Sequence, residues 1–166
     1  PPAEDPQWYE KKASPPDPAA EEEWFKTLPA NTLVARQVPN WPGVWRCWGT
    51  SIYDTDRDQI LHFGGGHATY DGNNVLHYSV RANRYYSPQR GEHTLNFMPY
   101  NSGIKATATY RMRPFLSGHS YHSYAYDPTL RKMVLCGGRV AGHGFFYDPY
   151  AGDWVLAWNM KYTWWG

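Results

Sequence analysis

One stretch of this chain occurs twice, and it constrains the fold more than any other feature. Ile52-Tyr53-Asp54, a polar turn, then Ile60-Leu61-His62-Phe63-Gly64-Gly65 returns as Ala125-Tyr126-Asp127, a polar turn, then Met133-Val134-Leu135-Cys136-Gly137-Gly138. Tyr53 maps to Tyr126 and Gly65 to Gly138 at one offset of 73 (126 − 53 and 138 − 65), so nothing is inserted between these anchors. A repeat this regular is a unit of architecture. Each copy runs on through a loop to a short apolar run with a tyrosine and then a second aromatic: Tyr78 with Tyr85, and Tyr147 with Trp154.

Within each copy the turn residues and the β-branched and aromatic runs mark four short strands. They are expected over Thr50–Asp54, Gln59–Phe63, Val75–Val80 and from Arg84 in the first copy. In the second they fall over Tyr121–Asp127, Lys132–Cys136, Gly144–Asp148 and Asp153–Trp158. Asp54 and Asp127 stand just before turns, where a carboxylate accepts hydrogen bonds from its own turn. Glycine without a Cβ lets the chain bend sharply where strand two ends.

An apolar strand ending in Gly-Gly, then a tyrosine, then an aromatic a few residues on resembles the kelch repeat. "YDPYAGDW" from Tyr147 to Trp154 carries the resemblance most closely; "HYSVRANRYY" from His77 to Tyr86 has Ser79 where Asp148 stands and Tyr85 where Trp154 stands. The resemblance implies an all-β fold of kelch-type β-propeller blades, two four-stranded antiparallel ones. The structural residues it implies are Gly64, Gly65, Tyr78, Tyr85, Gly137, Gly138, Tyr147 and Trp154. Propellers close at about four to eight blades, so two imply either the remainder of a larger polypeptide or other propeller-forming chains as partners. The start at Pro1 and the aromatic end "KYTWWG" suit a larger or processed protein.

The organisation expected is a Pro-rich N-terminal arm over residues 1–44, a first blade over 45–90, a long insertion over 91–117 and a second blade over 118–166. Asp17-Pro18 before "AAEEEWFKTL" supplies an N-cap, a helix-starting proline and early acids, which predicts a short helix near 18–28. The alternating stretch Lys105 to Tyr110 suggests a hairpin inside the insertion.

Fifteen Gly, fourteen Pro and fourteen Tyr suit a turn-rich sheet protein. A formal net charge of +1 with scattered signs offers no basic face for nucleic acid. No apolar run approaches the roughly 18 residues that a spanning helix needs. Cys47 and Cys136 lack metal-type spacing and either pair in an oxidising compartment or stay free. A secreted, periplasmic or cell-surface location is the expectation. There is no nucleophile elbow, no phosphate-cradling loop and no paired-histidine zinc helix.

Antiparallel strands place the start of strand one and the end of strand two on one rim. The loops there carry Arg46, Cys47, Trp48, His67 and Tyr70 in the first copy, and His119, His122, Arg139 and His143 in the second. This rim is the candidate ligand-binding surface, for a protein or a carbohydrate that stacks on exposed rings such as Trp41, Trp45, Trp48 and Tyr70. His67, His119, His122 and His143 are the candidate metal ligands, although the i, i+3 spacing of His119 and His122 splays them in an extended chain. Similarity to the galactose-oxidase-like group implies, as the alternative to a binding or scaffolding module, a copper-dependent oxidase of carbohydrates or alcohols. A structural subunit of a multichain assembly is the third reading. No cofactor follows from the residues themselves; copper or another metal ion follows only from that similarity.

Overall fold

The computed structural model describes residues 12–41, 50–64, 72–91, 109–110, 113–114, 123–136 and 143–159. They comprise one helix, α1 (Ala19–Lys26), and ten strands: β1 (Thr50–Asp54), β2 (Gln59–Phe63), β3 (Leu76–Ser79), β4 (Arg84–Tyr86), β5 (Thr109–Tyr110), β6 (Arg113–Pro114), β7 (Tyr124–Asp127), β8 (Lys132–Cys136), β9 (His143–Asp148) and β10 (Asp153–Asn159). The protein is mostly β. Two four-stranded antiparallel sheets hold β1-β2-β3-β4 and β10-β9-β8-β7, one sheet per sequence repeat, and β5 pairs with β6 in a small ribbon within the long insertion.

Four hairpin turns of the same kind build both sheets. Residues 55–58, 80–83, 128–131 and 149–152 each close a strand pair and each end in a left-handed residue: Asp58 (φ 53°), Asn83 (φ 45°), Arg131 (φ 55°) and Gly152 (φ 66°). A turn closed by one left-handed residue follows the right-handed twist of the flanking strands. The residue before each turn ties it down. Asp54 Oδ1 accepts from Asp56 N at 3.0 Å, Asp127 Oδ1 from Thr129 N at 2.8 Å, Asp148 Oδ1 from Tyr150 N at 2.8 Å and Ser79 Oγ from Ala82 N at 3.2 Å. Gly152 is doubly constrained, because a Cβ there would lie 2.6 Å from Pro88 Cβ. Gly64 ends β2 at φ 105°, a conformation open to glycine and strained for other residues. Gly65, Gly137 and Gly138 lie outside the described residues.

The helix is shorter than the sequence suggests. Asp17 accepts a hydrogen bond from Ala19 N at 3.0 Å, and Pro18 takes the cap position rather than the first helical one. Residues 12–41 lie along the outer edge of the first sheet. Ala13 N donates to Ser87 O at 2.6 Å, Asn83 donates to Gln37 O at 3.1 Å, and the Asn40 amide pairs with both Tyr85 N (2.9 Å) and Tyr85 O (2.6 Å). Asn40 thereby caps backbone groups that an edge strand would otherwise present to another chain. Arg36 clasps Glu21 through two bonds of 2.5 and 2.7 Å while its guanidinium lies 4.0 Å from the Trp24 ring centre.

The two sheets stack face to face over one core of Leu61, Phe63, Val75, Tyr124, Met133, Leu135, Phe145, Tyr147 and Trp154. Each fully buried aliphatic or aromatic side chain there contributes about 1.5–3 kcal/mol of transfer free energy. The register reveals which faces meet. Ile52, Leu61, His77 and Tyr86 stand side by side across the first sheet and face the core. Their repeat counterparts Ala125, Val134, Phe146 and Val155 likewise stand side by side across the second sheet, but on its outer face. The second sheet turns Tyr126, Met133, Tyr147 and Trp154 inward, and their counterparts Tyr53, Ile60, Tyr78 and Tyr85 line the outer face of the first. The sheets therefore pack front to back. Equivalent surfaces of the two sheets do not meet.

Candidate functional site

The residues expected at the rim lie almost wholly outside the described residues: Arg46, Cys47, Trp48, His67, Tyr70, His119, His122 and Arg139 all do. His143 opens β9 opposite Asn159, and its backbone alone is described. The structure does place the strand ends from which these segments depart. Tyr124, first residue of β7, accepts from Thr50 N at 2.7 Å and donates to Phe63 O at 2.6 Å, so one hydroxyl spans the start of β1, the end of β2 and the start of β7. Cys136 N, at the end of β8, donates to Ser123 O at 2.8 Å. The described strand ends at Thr50, Phe63, Tyr124 and Cys136 thus lie on one side of the stacked sheets.

A set of buried polar side chains stiffens the outer part of that side. Asn74 donates to Ser87 Oγ at 2.8 Å, Ser87 donates to Gln89 O at 2.7 Å, and the Trp154 indole N–H of the second sheet donates to Asn73 O at 2.9 Å. Cys136 is an exposed free thiol. Among the described residues no group of three His, Cys, Asp or Glu could hold a metal ion, and no helix is long and apolar enough to cross a membrane.

Between the sheets runs a chain of polar groups that the sequence reading missed. His77 is wholly buried; its Nε2 lies 2.7 Å from Tyr147 Oη, and its Nδ1 lies 3.1 Å from both Gln59 Oε1 and Tyr86 Oη. Tyr86 donates to Gln59 Oε1 at 2.5 Å, and Gln59 Nε2 donates to Asp54 Oδ2 at 2.7 Å. These partners assign the tautomer. Gln59 Oε1 can only accept, so Nδ1 carries the proton and Nε2 accepts from Tyr147. Burial, with a smaller contribution from nearby Arg57, holds the His77 pKa down to about 3. Burial likewise pushes the Tyr86 hydroxyl up to about 12 and Tyr147 well above its ordinary value. The imidazole is therefore neutral, dry and engaged at both nitrogens. Its chemistry is that of a joint between the sheets.

At the opposite side the seam is closed by charge and aromatic contacts. Tyr126 of the second sheet donates to Asp56 in the β1–β2 turn, and the Tyr150 ring lies 3.3 Å from the Arg57 guanidinium and 4.5 Å from that of Arg131. Burial first, then the bond to Asp56, holds the Tyr126 hydroxyl protonated far above the usual tyrosine range.

Tyr147 and Trp154 stand in the core between the sheets, whereas Tyr78 and Tyr85 stand half-buried on the outer face of the first sheet. Trp41 packs edge-on against Tyr85 at 5.4 Å between ring centres. Compared with known proteins, the chain matches no protein-family model, no curated protein and no solved structure.

Proposed function

We propose that the two sheets are consecutive blades of a kelch-type β-propeller, and that this propeller is a binding or scaffolding module whose rim recognises a protein or a carbohydrate. The observation that carries the reading is the front-to-back stacking of two equivalent sheets, because only stacking of unlike faces continues from one unit to the next. A second observation favours binding over catalysis. The acids before the turns cap those turns, and the buried histidine is spent on the seam. Loops held by a rigid sheet scaffold are the usual carriers of recognition, and the strand ends at Thr50, Phe63, Tyr124 and Cys136 that flank the candidate rim lie on one side.

The test is retention on an array of immobilised glycans, comparing the unaltered protein with the double variant Trp48→Ala/Tyr70→Ala. Loss of two stacking rings is expected to weaken retention at least about tenfold, or ~1.4 kcal/mol. The melting temperature should not change and chelator should have no effect. Equal retention by both proteins, or retention that chelator abolishes, would overturn this reading.

A further inference from the structure

We infer that residues 12–41 form a strap over a strand-pairing edge, and that releasing the strap lets β4 pair with β4 of a second copy of this chain. β4 is the outer strand of the first sheet, with β3 on its other side. Backbone groups of alternate residues in an antiparallel strand point to the same side, and those of Tyr85 and Ser87 point away from β3, toward the strap. Asn40 accepts from Tyr85 N at 2.9 Å and donates to Tyr85 O at 2.6 Å, and Ala13 N donates to Ser87 O at 2.6 Å. In an antiparallel ladder, a residue of the neighbouring strand makes that reciprocal pair of bonds with its backbone. Here a side-chain amide makes it, so Asn40 stands in for a strand at the position where one would add.

The strap is shallowly seated. Among its described residues Asn40 alone is buried, α1 buries none, and Leu33 is 99% exposed. Its further attachments include the Asn83 bond to Gln37 O at 3.1 Å, the ion pair of Glu22 with Arg81 and the edge-on contact of Trp41 with Tyr85. A segment with so few buried apolar contacts opens at the low end of a protein's range of local stabilities. When Asn40 leaves, Tyr85 loses both outward bonds together, and an edge strand with open N–H and C=O groups is a template for another chain. A second copy fits that template. Two β4 strands related by a two-fold axis at Tyr85 exchange both bonds, Tyr85 N of each copy donating to Tyr85 O of the other, an isologous contact that needs no other sequence. The same register sets Arg84 opposite Tyr86 of the partner subunit, so no like charges face each other across it.

The inference goes beyond the rim reading and does not rest on it, since edge pairing uses no rim loop. Its test compares the unaltered chain with Asn40→Ala and with Ala13→Pro/Asn40→Ala, the proline removing the N–H that Ser87 O accepts. Sedimentation velocity from micromolar to millimolar protein reads association, amide hydrogen exchange reads the Tyr85 N–H, and thermal melts confirm folding. In the unaltered chain the Tyr85 amide is expected to exchange slowly at every concentration. In each variant it should exchange at least about tenfold faster when dilute and slow again when concentrated, as the variant dimerises at least about tenfold more tightly than the unaltered chain. The single variant carries the test alone if the double one does not fold. Variants that associate no more than the unaltered chain, or whose Tyr85 amide exchanges as fast in concentrated as in dilute solution, would overturn the inference.

Discussion

Replacing His77 with alanine is expected to destabilise the protein by about 3–4 kcal/mol, a large part of a typical domain's total stability. The change leaves a cavity between the sheets and takes the acceptor from the buried Tyr147 hydroxyl, 2.7 Å away. The same residue makes stability depend on pH. His77 has a native pKa near 3, well below the ordinary value of 6.5. At pH values between these two the unfolded chain holds the proton and the native chain does not. Its contribution is complete above about pH 6.5 and falls by about 1.4 kcal/mol for each pH unit below it. By pH 5 the loss is roughly 2 kcal/mol, or about 4–8 °C in melting temperature for a chain of this size. Paired melts of the unaltered protein and His77→Gln at pH 7.5 and pH 5 check this. The gap between the two should narrow at pH 5, and parallel behaviour would show that the imidazole titrates freely.

Trp154→Ala is expected to cost about 3–5 kcal/mol. Trp154 packs against three rings of the seam, with its centre 4.9 Å from that of Phe63, 5.1 Å from Tyr147 and 6.2 Å from Phe145. It also satisfies the Asn73 carbonyl across the sheets. Trp154→Phe separates the two contributions, because it keeps most of the apolar area and removes the N–H donated to that carbonyl, for about 1–3 kcal/mol. Urea unfolding of both variants measures the difference. Equal losses would assign the whole effect to the hydrogen bond.

The hairpins were legible because their signals are local. "DTDRD", "SVRAN", "DPTLR" and "DPYAGD" each combine a capping Asp or Ser with a residue able to adopt positive φ, and each forms the turn it encodes. Asp54 and Asp127 cap their turns as their positions suggested. What the sequence could not convey was which face of each sheet meets the other. Alternation separates Leu61 from Ile60 and Val134 from Met133, yet both faces of both sheets are apolar enough to serve. The choice is made by tertiary complementarity between His77 and Tyr147, and between Phe63 and Trp154.

For the same reason His77 was overlooked while histidines in loops drew notice. In "LHYS" it reads as the polar half of an alternating strand, and only the opposing sheet makes that position interior. Tyr124 was missed because its role depends on backbone groups of β1 and β2, far away in sequence. A tyrosine on the inward register at the first position of a strand was the one available sign.

Nuclear Overhauser contacts between assigned side chains report directly on the front-to-back stacking of the two equivalent sheets. The Met133 and Leu135 methyls, together with the Trp154 ring, are expected to show cross-peaks to Leu61 and Phe63, while Val134 and Val155 show none to those residues. Cross-peaks from Val134 or Val155 to Leu61 or Phe63 would mean that equivalent faces meet, and would rule out front-to-back stacking.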